Sequence, residues 1–282
     1  MKADPFTCGI IVPVRDEMSV LLETIPALLV AAQGEHPRIV WVCNDCRDDS
    51  ANVIRRLAGP DAEVIEISTP GKTLALQAGD DAPGMGDLFP RIYLDADTSL
   101  RPGDITRLLR PLRMDRADLV AASHAFDLSR ASPVSAAIAR CWLALPFARK
   151  SAILGAVGVS RRGRALWSNW PEVTADDMFM AAKVPRTRQL MVADAIATTR
   201  PPSTFSGWVR MRIRWLRGER QLRDLGLHPP GVGGQRKDLL RRLVRPGSLL
   251  GAFAFCLARV LATPFTWYQV GVCWKPDRKA WS

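Results

Sequence analysis

The stretch RIYLDADTSL, residues 91–100, places two carboxylates directly after a short apolar run. Side chains alternate between the two faces of a strand, so Asp95 and Asp97 would point the same way if the strand continued through them. Like charges on one face of a strand repel each other. We therefore expect a positive group to lie between these two aspartates.

The segments around this stretch alternate between strand-like and helix-like patterns. Apolar, β-rich runs occur at 8–14, 38–45, 62–68 and 92–95, with helical patterns at 19–32 and 50–58 and a loop entering a helix at 71–79. This alternation predicts right-handed βαβ units, and hence an α/β fold with a mixed, mainly parallel, Rossmann-like sheet covered by helices on both faces. Ligands of such sheets bind outside the carboxyl ends of the strands, where Asp45, Asp95 and Asp97 fall.

The second half of the chain predicts further elements and a boundary. Helical patterns cover 132–150 and 205–225, and strand patterns cover 152–160 and 189–198. The glycine-rich run GVGGQRK at 231–237 is typical of a linker. We therefore predict a main domain over 1–230 and a helical appendage over 231–282. Pro26, inside the first helical segment, should kink or shorten that helix.

Positive charge is concentrated towards the C-terminus. The formal net charge is +11; residues 1–199 contain 23 Lys and Arg against 24 Asp and Glu, whereas residues 200–282 contain 16 against 4. Such a basic end could face anionic lipid, nucleic acid or a phosphorylated ligand. Trp208 and Trp215 lie seven residues apart on one apolar helical stripe, which favours a place in the core over base stacking. We therefore expect no nucleic-acid partner.

The last apolar segment, residues 248–274, is interrupted by Pro264 and carries one charge, Arg259. It is long enough to span a bilayer, although a central arginine is costly there. Two short helices lying at the membrane surface and a helix pair packed on the main domain are the alternatives. Because the basic run RRLVR (241–245) precedes this segment, we favour membrane-surface attachment.

The cellular location follows from the N-terminus and the cysteines. The apolar run at 8–14 is ended by Pro13 and followed by charged residues, unlike a signal peptide. Six cysteines spread over 282 residues do not suggest a disulfide framework. We predict a cytoplasmic protein, peripheral to or anchored at the inner membrane.

Two aspartates in a DxD pattern at a strand end suit Mg²⁺ or Mn²⁺ bound to a diphosphate, because hard cations prefer carboxylate and phosphate oxygens. Such a cation would offset the repulsion noted above. Acidic pairs at strand ends also occur in solvated turns, so the pattern alone does not decide between these interpretations.

The other reactive residues give weaker patterns. Cys43 and Cys46 form a CxxC typical of redox or zinc sites, but no second spaced pair accompanies them. The three histidines, His36, His124 and His228, have no partners at triad-like positions. We expect these residues to be structural.

Five segments resemble motifs of glycosyltransferase family 2 and occur in that family's order. They are PVRDE (13–17), NDCRDDS (44–50), GKTLALQAG (71–79), LDADTSL (94–100) and TADDMFM (174–180). These are similar to the family's PxYNE strand end, acidic second strand end, GKxxALNxG loop, DxD motif and ExD-type acceptor motif. The resemblance covers about two-thirds of the chain. It implies the GT-A fold and sugar transfer from a nucleotide diphosphate.

The resemblance also implies roles for individual residues. Asp97 would ligate the metal, and Asp95 would contact the metal or the ribose. Asp177 would be the general base, and Asp176 would orient the acceptor or the base. The residues expected to bind the nucleotide sugar are Pro13, Arg15, Glu17, Asn44, Asp48, Lys72, Asp95 and Arg214.

The implied chemistry is physically consistent. A metal stabilises the charge that develops on a leaving diphosphate, and a carboxylate on the opposite side of the anomeric carbon activates the acceptor hydroxyl. That arrangement predicts inversion. Asp176 and Asp177 could instead serve to stabilise a helix N-terminus, and the two roles are compatible.

The segment RMRIRWLRG, residues 210–218, resembles the QxxRW segment of processive family members, but Met211 stands where their glutamine would be. This departure favours transfer of a single sugar. Arg214 or Arg217 could clamp the diphosphate through a bidentate guanidinium contact, or form a solvated basic face.

The sequence therefore predicts an inverting, metal-dependent glycosyltransferase that uses a UDP- or GDP-linked sugar and a hydroxyl acceptor. A lipid-linked acceptor at the inner membrane surface is a hypothesis that follows from the basic C-terminal part. The alternative is a nucleotide-sugar-binding or membrane scaffold protein with the same fold and no turnover.

Overall fold

A computed structural model of the chain describes residues 6–145, 148, 154–228 and 249–266. Most of the predicted appendage over 231–282, including the basic run at 241–245, lies outside these residues. The proposed domain boundary at 230 therefore stays a prediction.

The strands of the described residues form one eight-stranded sheet. In chain order they are β1 (Cys8–Val14), β2 (Pro37–Asn44), β3 (Glu63–Ile67), β4 (Arg91–Leu94), β5 (Ser99–Leu100), β6 (Leu119–Phe126), β7 (Ala156–Val159) and β8 (Gln189–Thr199). Their spatial order is β3-β2-β1-β4-β7-β6-β8-β5. Strands β3, β2, β1 and β4 are parallel, as are β6 and β8, whereas β7 runs antiparallel between β4 and β6 and β5 pairs antiparallel with β8. The predicted mixed, mainly parallel sheet is confirmed.

Helices cover both faces of this sheet. They are α1 (Met18–Ala31), α2 (Ser50–Ala58), α3 (Lys72–Asp80), α4 (Asp104–Arg113), α5 (Pro133–Leu143), α6 (Arg161–Arg164), α7 (Asp176–Lys183), α8 (Phe205–Asp224) and α9 (Leu249–Ala262), with 3-10 turns at Arg186–Arg188 and Thr263–Thr266. The α1 helix continues through Pro26, so the expected shortening is not found.

The core is divided between the two faces because neighbouring strand residues point in opposite directions. In β1, Ile10 and Val12 pack with α1, α2 and α4, whereas Ile11 packs on the other face with α3 and α7. Every residue of β1 is buried. Burial on both faces is typical of a central parallel strand, and it fixes the strand's carboxyl end firmly.

A third apolar cluster joins α5, α8 and α9. Trp208 is fully buried there, and Trp142 and Trp215 lie with their ring centroids 6.1 Å apart. The prediction that these tryptophans belong to the core is confirmed for Trp208, whereas Trp215 is half-buried and packs against the cluster. Residues 249–262 thus pack on the main domain, while residues 267–274 fall outside the described part of the chain.

Candidate active site

A cavity opens where the carboxyl ends of β1 and β4 meet the N-terminus of α7. Its lining comes from β1, α3, β4, β7 and α7, together with the residues that flank them. The lining residues are Pro13, Lys72, Leu76, Tyr93, Asp95, Gly155, Val157, Asp176, Asp177 and Met180. The structure therefore brings together residues from four of the five sequence motifs, which lie far apart in the chain.

Lys72, the first residue of α3, links the acidic groups on the two sides of this cavity. Its Nζ lies 2.7 Å from Oδ1 of Asp95 and 3.0 Å from Oδ1 of Asp176. Burial alone would lower the pKa of Lys72, but Asp176 and Asp95 outweigh this effect and raise it, so the ammonium stays charged. The positive group expected between Asp95 and Asp97 thus lies between Asp95 and Asp176 instead.

Asp97 lies in a different electrostatic environment. Burial, followed by the charge of Asp95, raises the pKa of Asp97 to about 6, and the positive charges of Arg214 and Lys72 oppose the rise. Arg214 of α8 is therefore near enough to act on Asp97. Burial, followed by Asp97 and two further carboxylates, likewise raises the pKa of Glu17 to about 9. Several carboxyl groups thus lie close together at this edge of the sheet.

The carboxylates at this edge suit a hard divalent cation. Among the residues that the structure describes, no three His, Cys, Asp or Glu side chains could hold a metal by themselves. The chain thus offers a carboxylate pair, which fits Mg²⁺ or Mn²⁺ because these ions commonly complete their coordination with phosphate oxygens and water. Besides burial, the repulsion between Asp95, Asp97 and Glu17 contributes to the raised pKa values of Asp97 and Glu17, and a bound cation would relieve this repulsion.

Asp176 and Asp177 form the opposite side of the cavity and lie in the first turn of α7. Asp176 is buried against Lys72. Burial, followed by the charge of Asp176, raises the pKa of Asp177 to about 7, although Lys72 opposes the rise. A carboxylate with a pKa near the working pH is well suited to accept a proton. The expected position at a helix N-terminus is confirmed, and it coexists with a place in the cavity.

Two contacts that the sequence did not reveal hold the acid pair in place. A Cβ on Gly218 of α8 would lie only 2.6 Å from Cβ of Ala175, the residue before Asp176. Helix α8 can approach the start of α7 so closely only because Gly218 has no side chain. No local pattern marks this glycine, because its partner lies in a distant segment.

The second contact is centred on buried Asp80 at the end of α3. Its carboxylate pairs with Arg91 and Arg164 and accepts hydrogen bonds from the Tyr93 hydroxyl at 2.9 Å and from Trp170 Nε1 at 2.8 Å. The network joins α3, β4, α6 and the loop before α7. It therefore holds the segments that carry Lys72, Asp95 and Asp176 against one another.

The remaining residues predicted to bind the nucleotide sugar fall into two groups. Pro13, Lys72 and Asp95 line the cavity, whereas the other predicted binding residues and the predicted metal ligand Asp97 are not among its lining residues; these others are Arg15, Glu17, Asn44, Asp48 and Arg214. Arg15 Nη2 lies 2.7 Å from Asp45, and Asn44 is fully buried.

Asn44 and Asp48 make their polar contacts within the protein. The Asn44 amide donates to the Thr69 carbonyl and accepts from the Gly71 amide, both at 2.8 Å. Asp48 accepts from the backbone N–H groups of Met18 and Ser50, both at 3.1 Å. Asn44 thus fixes the loop before Lys72, and Asp48 ties α1 to α2.

Three of the residues expected to be structural, Cys43, Cys46 and His124, show contacts or states consistent with that role. Cys43 and Cys46 are free thiols. Burial lowers the pKa of His124 to about 4, and its ring packs edge-on against Phe126 and Trp142. His124 is therefore a neutral, half-buried residue that packs beside the third apolar cluster.

Solved structures share this architecture. The mannosyltransferase PcManGT from Pyrobaculum calidifontis, solved with GDP-Man and Mn²⁺, aligns with a TM-score of 0.59 and 17% identity over 93% of this chain and 74% of that one. The glucosyl-3-phosphoglycerate synthase from Mycobacterium tuberculosis, solved with Mn²⁺ and UDP-glucose, gives 0.52 and 16% over 81% and 82%. At these low identities the comparison shows only a shared fold, and this chain therefore has the GT-A fold.

A family model matches the N-terminal part of the chain. Residues 9–130 match the model of glycosyl transferase family 2, which covers β1 to the residues just beyond β6. A search of curated proteins gives no match. Residues 9–130 therefore match glycosyltransferase family 2, as the motifs indicated, and the described chain has the GT-A fold.

Proposed function

We propose that this protein is an inverting, metal-dependent glycosyltransferase that moves one sugar from a UDP- or GDP-linked donor to a hydroxyl acceptor. The observation that carries the proposal is the Lys72 bridge between Asp95 and Asp176. It places the DxD aspartate and the acid pair of α7 in one cavity, which is the arrangement that a donor and an acceptor need for reaction.

On the donor side, Asp97 and Asp95 would hold Mg²⁺ or Mn²⁺. When bound, the cation supplies positive charge that stabilises the leaving diphosphate. Arg214 acts electrostatically on Asp97 and would lie close to the same diphosphate, where a guanidinium can bind two oxygens at once. The fold relatives solved with Mn²⁺ and a nucleotide sugar support this assignment.

On the acceptor side, Asp177 would act as the base. Its carboxylate takes the proton of the acceptor hydroxyl, whose oxygen forms the new bond to the anomeric carbon. The bond to the diphosphate oxygen breaks, and the nucleotide diphosphate leaves with the electron pair. Attack opposite the leaving group inverts the anomeric configuration, which an NMR spectrum of the product would reveal.

Lys72 and Asp176 support this chemistry as positioning residues. The Lys72 ammonium holds Asp176 at 3.0 Å. The charge of Asp176 in turn raises the pKa of Asp177, which strengthens Asp177 as a base. We place the enzyme at the cytoplasmic face of the inner membrane, acting on a lipid-linked or other membrane-borne acceptor, because the chain is strongly basic towards its C-terminus.

The test is thermal unfolding with a panel of nucleotide diphosphates and their sugars, each with and without Mn²⁺. A ligand that binds only the folded state stabilises it by about 2.7 kcal/mol at a concentration 100 times its Kd. We expect a clear rise in the melting temperature with UDP or GDP, and only when Mn²⁺ is present. Metal-independent shifts, or none with any nucleotide, would contradict the metal assignment.

A further inference from the structure

Helix α9 presents its larger apolar side chains to the outside of the protein. The residues it packs against α5 and α8 are small apart from Phe255: Gly251, Ala252, Ala254, Ala258 and Ala262. The outward residues are 38% to 65% exposed and form what we call the apolar face: Leu249, Leu250, Phe253, Leu257, Val260 and Leu261. A surface helix in water normally shows the opposite distribution.

The inward contact is close enough to hold the helix in this orientation. A Cβ on Gly251 would lie 2.3 Å from the carbonyl oxygen of Ala137 in α5. Phe255 is buried, and the guanidinium of Arg212 lies 5.2 Å from its ring centroid. Rotation of α9 to bury the apolar face would remove both contacts. The exposure of the large residues is therefore a feature of the docked helix.

The charge around α9 is positive. Arg212 is buried between the rings of Trp215 and Phe255, and its Nε and Nη2 atoms have no hydrogen-bond partner. Arg259 of α9 is half-buried and lies near Arg212, whose pKa is lowered by burial and, to a smaller extent, by the positive charge of Arg259. Residues 200–282 together contain 16 basic and 4 acidic side chains. A surface that combines exposed apolar groups with excess positive charge is complementary to anionic lipid.

We propose that the apolar face of α9 docks on the surface of an anionic lipid bilayer. The helix has 14 residues and is therefore about 21 Å long, shorter than the roughly 30 Å of a hydrocarbon core. No helix in the described ranges is long and apolar enough to cross a membrane. The helix lies in the plane of the interface, with the apolar face among the upper acyl chains and the basic residues near the headgroups.

The test is co-sedimentation of the full chain with vesicles, which needs neither donor nor acceptor. Its outcome is thus separate from that of the proposed catalysis. Vesicles of phosphatidylcholine alone are compared with vesicles that contain phosphatidylglycerol as well. We expect the protein to bind the anionic vesicles at least tenfold more tightly, and the difference to shrink as salt is added.

Amino-acid substitutions test whether the apolar face of α9 makes the contact with the vesicle. The double change Phe253→Ser and Val260→Ser should weaken binding to anionic vesicles at least tenfold. Leu225→Ser is the matched control, because Leu225 is 51% exposed but lies at the end of α8; it should bind like the wild type. Nucleotide binding and the melting temperature report whether each variant folds. If the double variant unfolds, the single change Val260→Ser, at the most exposed position, gives the same comparison.

Three outcomes would overturn the proposal. The first is wild-type vesicle binding by the folded double variant. The second is equal binding to neutral and anionic vesicles, or binding to neither. The third is a dimer on size-exclusion chromatography that the double variant converts to a monomer, since the apolar face would then be covered by a second copy of this chain.

Discussion

The two sides of the cavity are built in different ways. On the proposed donor side, Asp95 and Asp97 follow β4, a strand that is hydrogen-bonded to β1 and β7 on either side. On the proposed acceptor side, Asp176 and Asp177 begin α7, whose position depends on side-chain packing against α8 and the loop around Trp170. Backbone ladders fix the first side, whereas side-chain packing, side-chain hydrogen bonds and the Lys72 ion pair fix the second. The acceptor side should therefore be the more easily displaced.

Lys72 makes the two sides electrostatically dependent on each other. It contacts Asp95 on one side and Asp176 on the other, and its charge also lowers the pKa values of Asp97 and Asp177. A change in charge on one side should therefore shift the pKa values of the carboxyl groups on the other side. The variants below separate what each side contributes.

The largest expected effect is on the acceptor side. Asp177→Asn keeps the size of the side chain but cannot take a proton at neutral pH, and general bases contribute about 10²- to 10⁴-fold to rates. We expect the transfer rate to fall about a thousandfold while binding of the nucleotide diphosphate is retained. Glu172→Gln is the matched control, because Glu172 is an exposed carboxylate near the same helix.

Two results would count against this role of Asp177. A variant that transfers sugar at the wild-type rate would show that another group is the base. A wild-type protein that binds nucleotide sugar but never turns over, with any acceptor tested, would favour the scaffold alternative.

The corresponding change on the donor side is Asp97→Asn. Loss of a metal ligand should cost roughly a hundredfold in transfer and weaken the Mn²⁺-dependent binding of nucleotide, unlike Asp177→Asn. Without metal, the same variant should be more stable above pH 6. The folded-state pKa of Asp97, about 6, lies above its usual value, so the ionised carboxylate costs stability as the pH rises through 6.

Calorimetry with and without Mn²⁺ measures both effects. The metal-free gain in stability should be roughly 1–3 kcal/mol, the upper figure being the full effect of the raised pKa before solvent screening. Parallel losses in Asp97→Asn and Asp177→Asn, with nucleotide binding weakened equally in both, would remove the distinction between a donor side and an acceptor side.

The link between the two sides is tested by pH. Because Asp177 must be ionised to act, kcat/KM should rise with pH and level off above about 7. Lys72→Met removes a charge that lowers the pKa of Asp177, so the rising limb should move to higher pH. At pH 7 the variant should be about tenfold slower and should recover part of this loss at pH 9.

The control for this shift is Lys183→Met, which removes a cation from the other end of α7. The rising part of its kcat/KM profile should stay at the same pH as in the wild type. The stability of the wild type has the opposite pH dependence to its activity. Since the pKa of Asp177 is higher in the folded state than the ordinary value, its contribution to stability is present below about pH 4 and is lost as the pH rises through 7. If the rising part of the kcat/KM profile stayed at the same pH in Lys72→Met, the two sides would titrate independently.

The same contrast explains what the sequence could predict. The sheet and the strand-end residues Pro13, Asp95 and Asp97 could be placed because strand patterns and motif order are local signals. The pairing of Lys72 with Asp176 could not, because it depends on how α3 and α7 pack. Asp80 was missed for the same reason, since its partners belong to three other segments.

Composition could not predict the placement of the last apolar segment, because that placement depends on packing against other helices. The hydrophobicity and charge of residues 248–274 allowed a membrane span, surface helices or a packed pair. The distribution of small and large residues around α9 becomes meaningful only once α5 and α8 define its inward side. Likewise, the sequence alone did not show that α1 continues through Pro26. Six other residues of this helix are buried, and their packing keeps the helix intact.

The smallest effect should come from Gly218→Ala, a change that leaves every charged residue in place. The new Cβ would lie 2.6 Å from Cβ and 3.3 Å from the backbone nitrogen of Ala175, so α8 or the start of α7 must move by several tenths of an ångström. Misplacement by about 1 Å can cost a hundredfold in rate, so a shift of this size should reduce kcat by roughly three- to tenfold.

Nucleotide binding should not change in Gly218→Ala, because the strand ends on the donor side are held by the sheet. Gly86→Ala is the matched control, since no heavy atom lies within 4 Å of the Cβ that it would add. If Gly218→Ala weakened nucleotide binding as much as it slowed transfer, the displacement would have spread to β4, and the two sides would form one rigid unit. A loss confined to kcat would show that the acceptor side alone depends on the packing of α8.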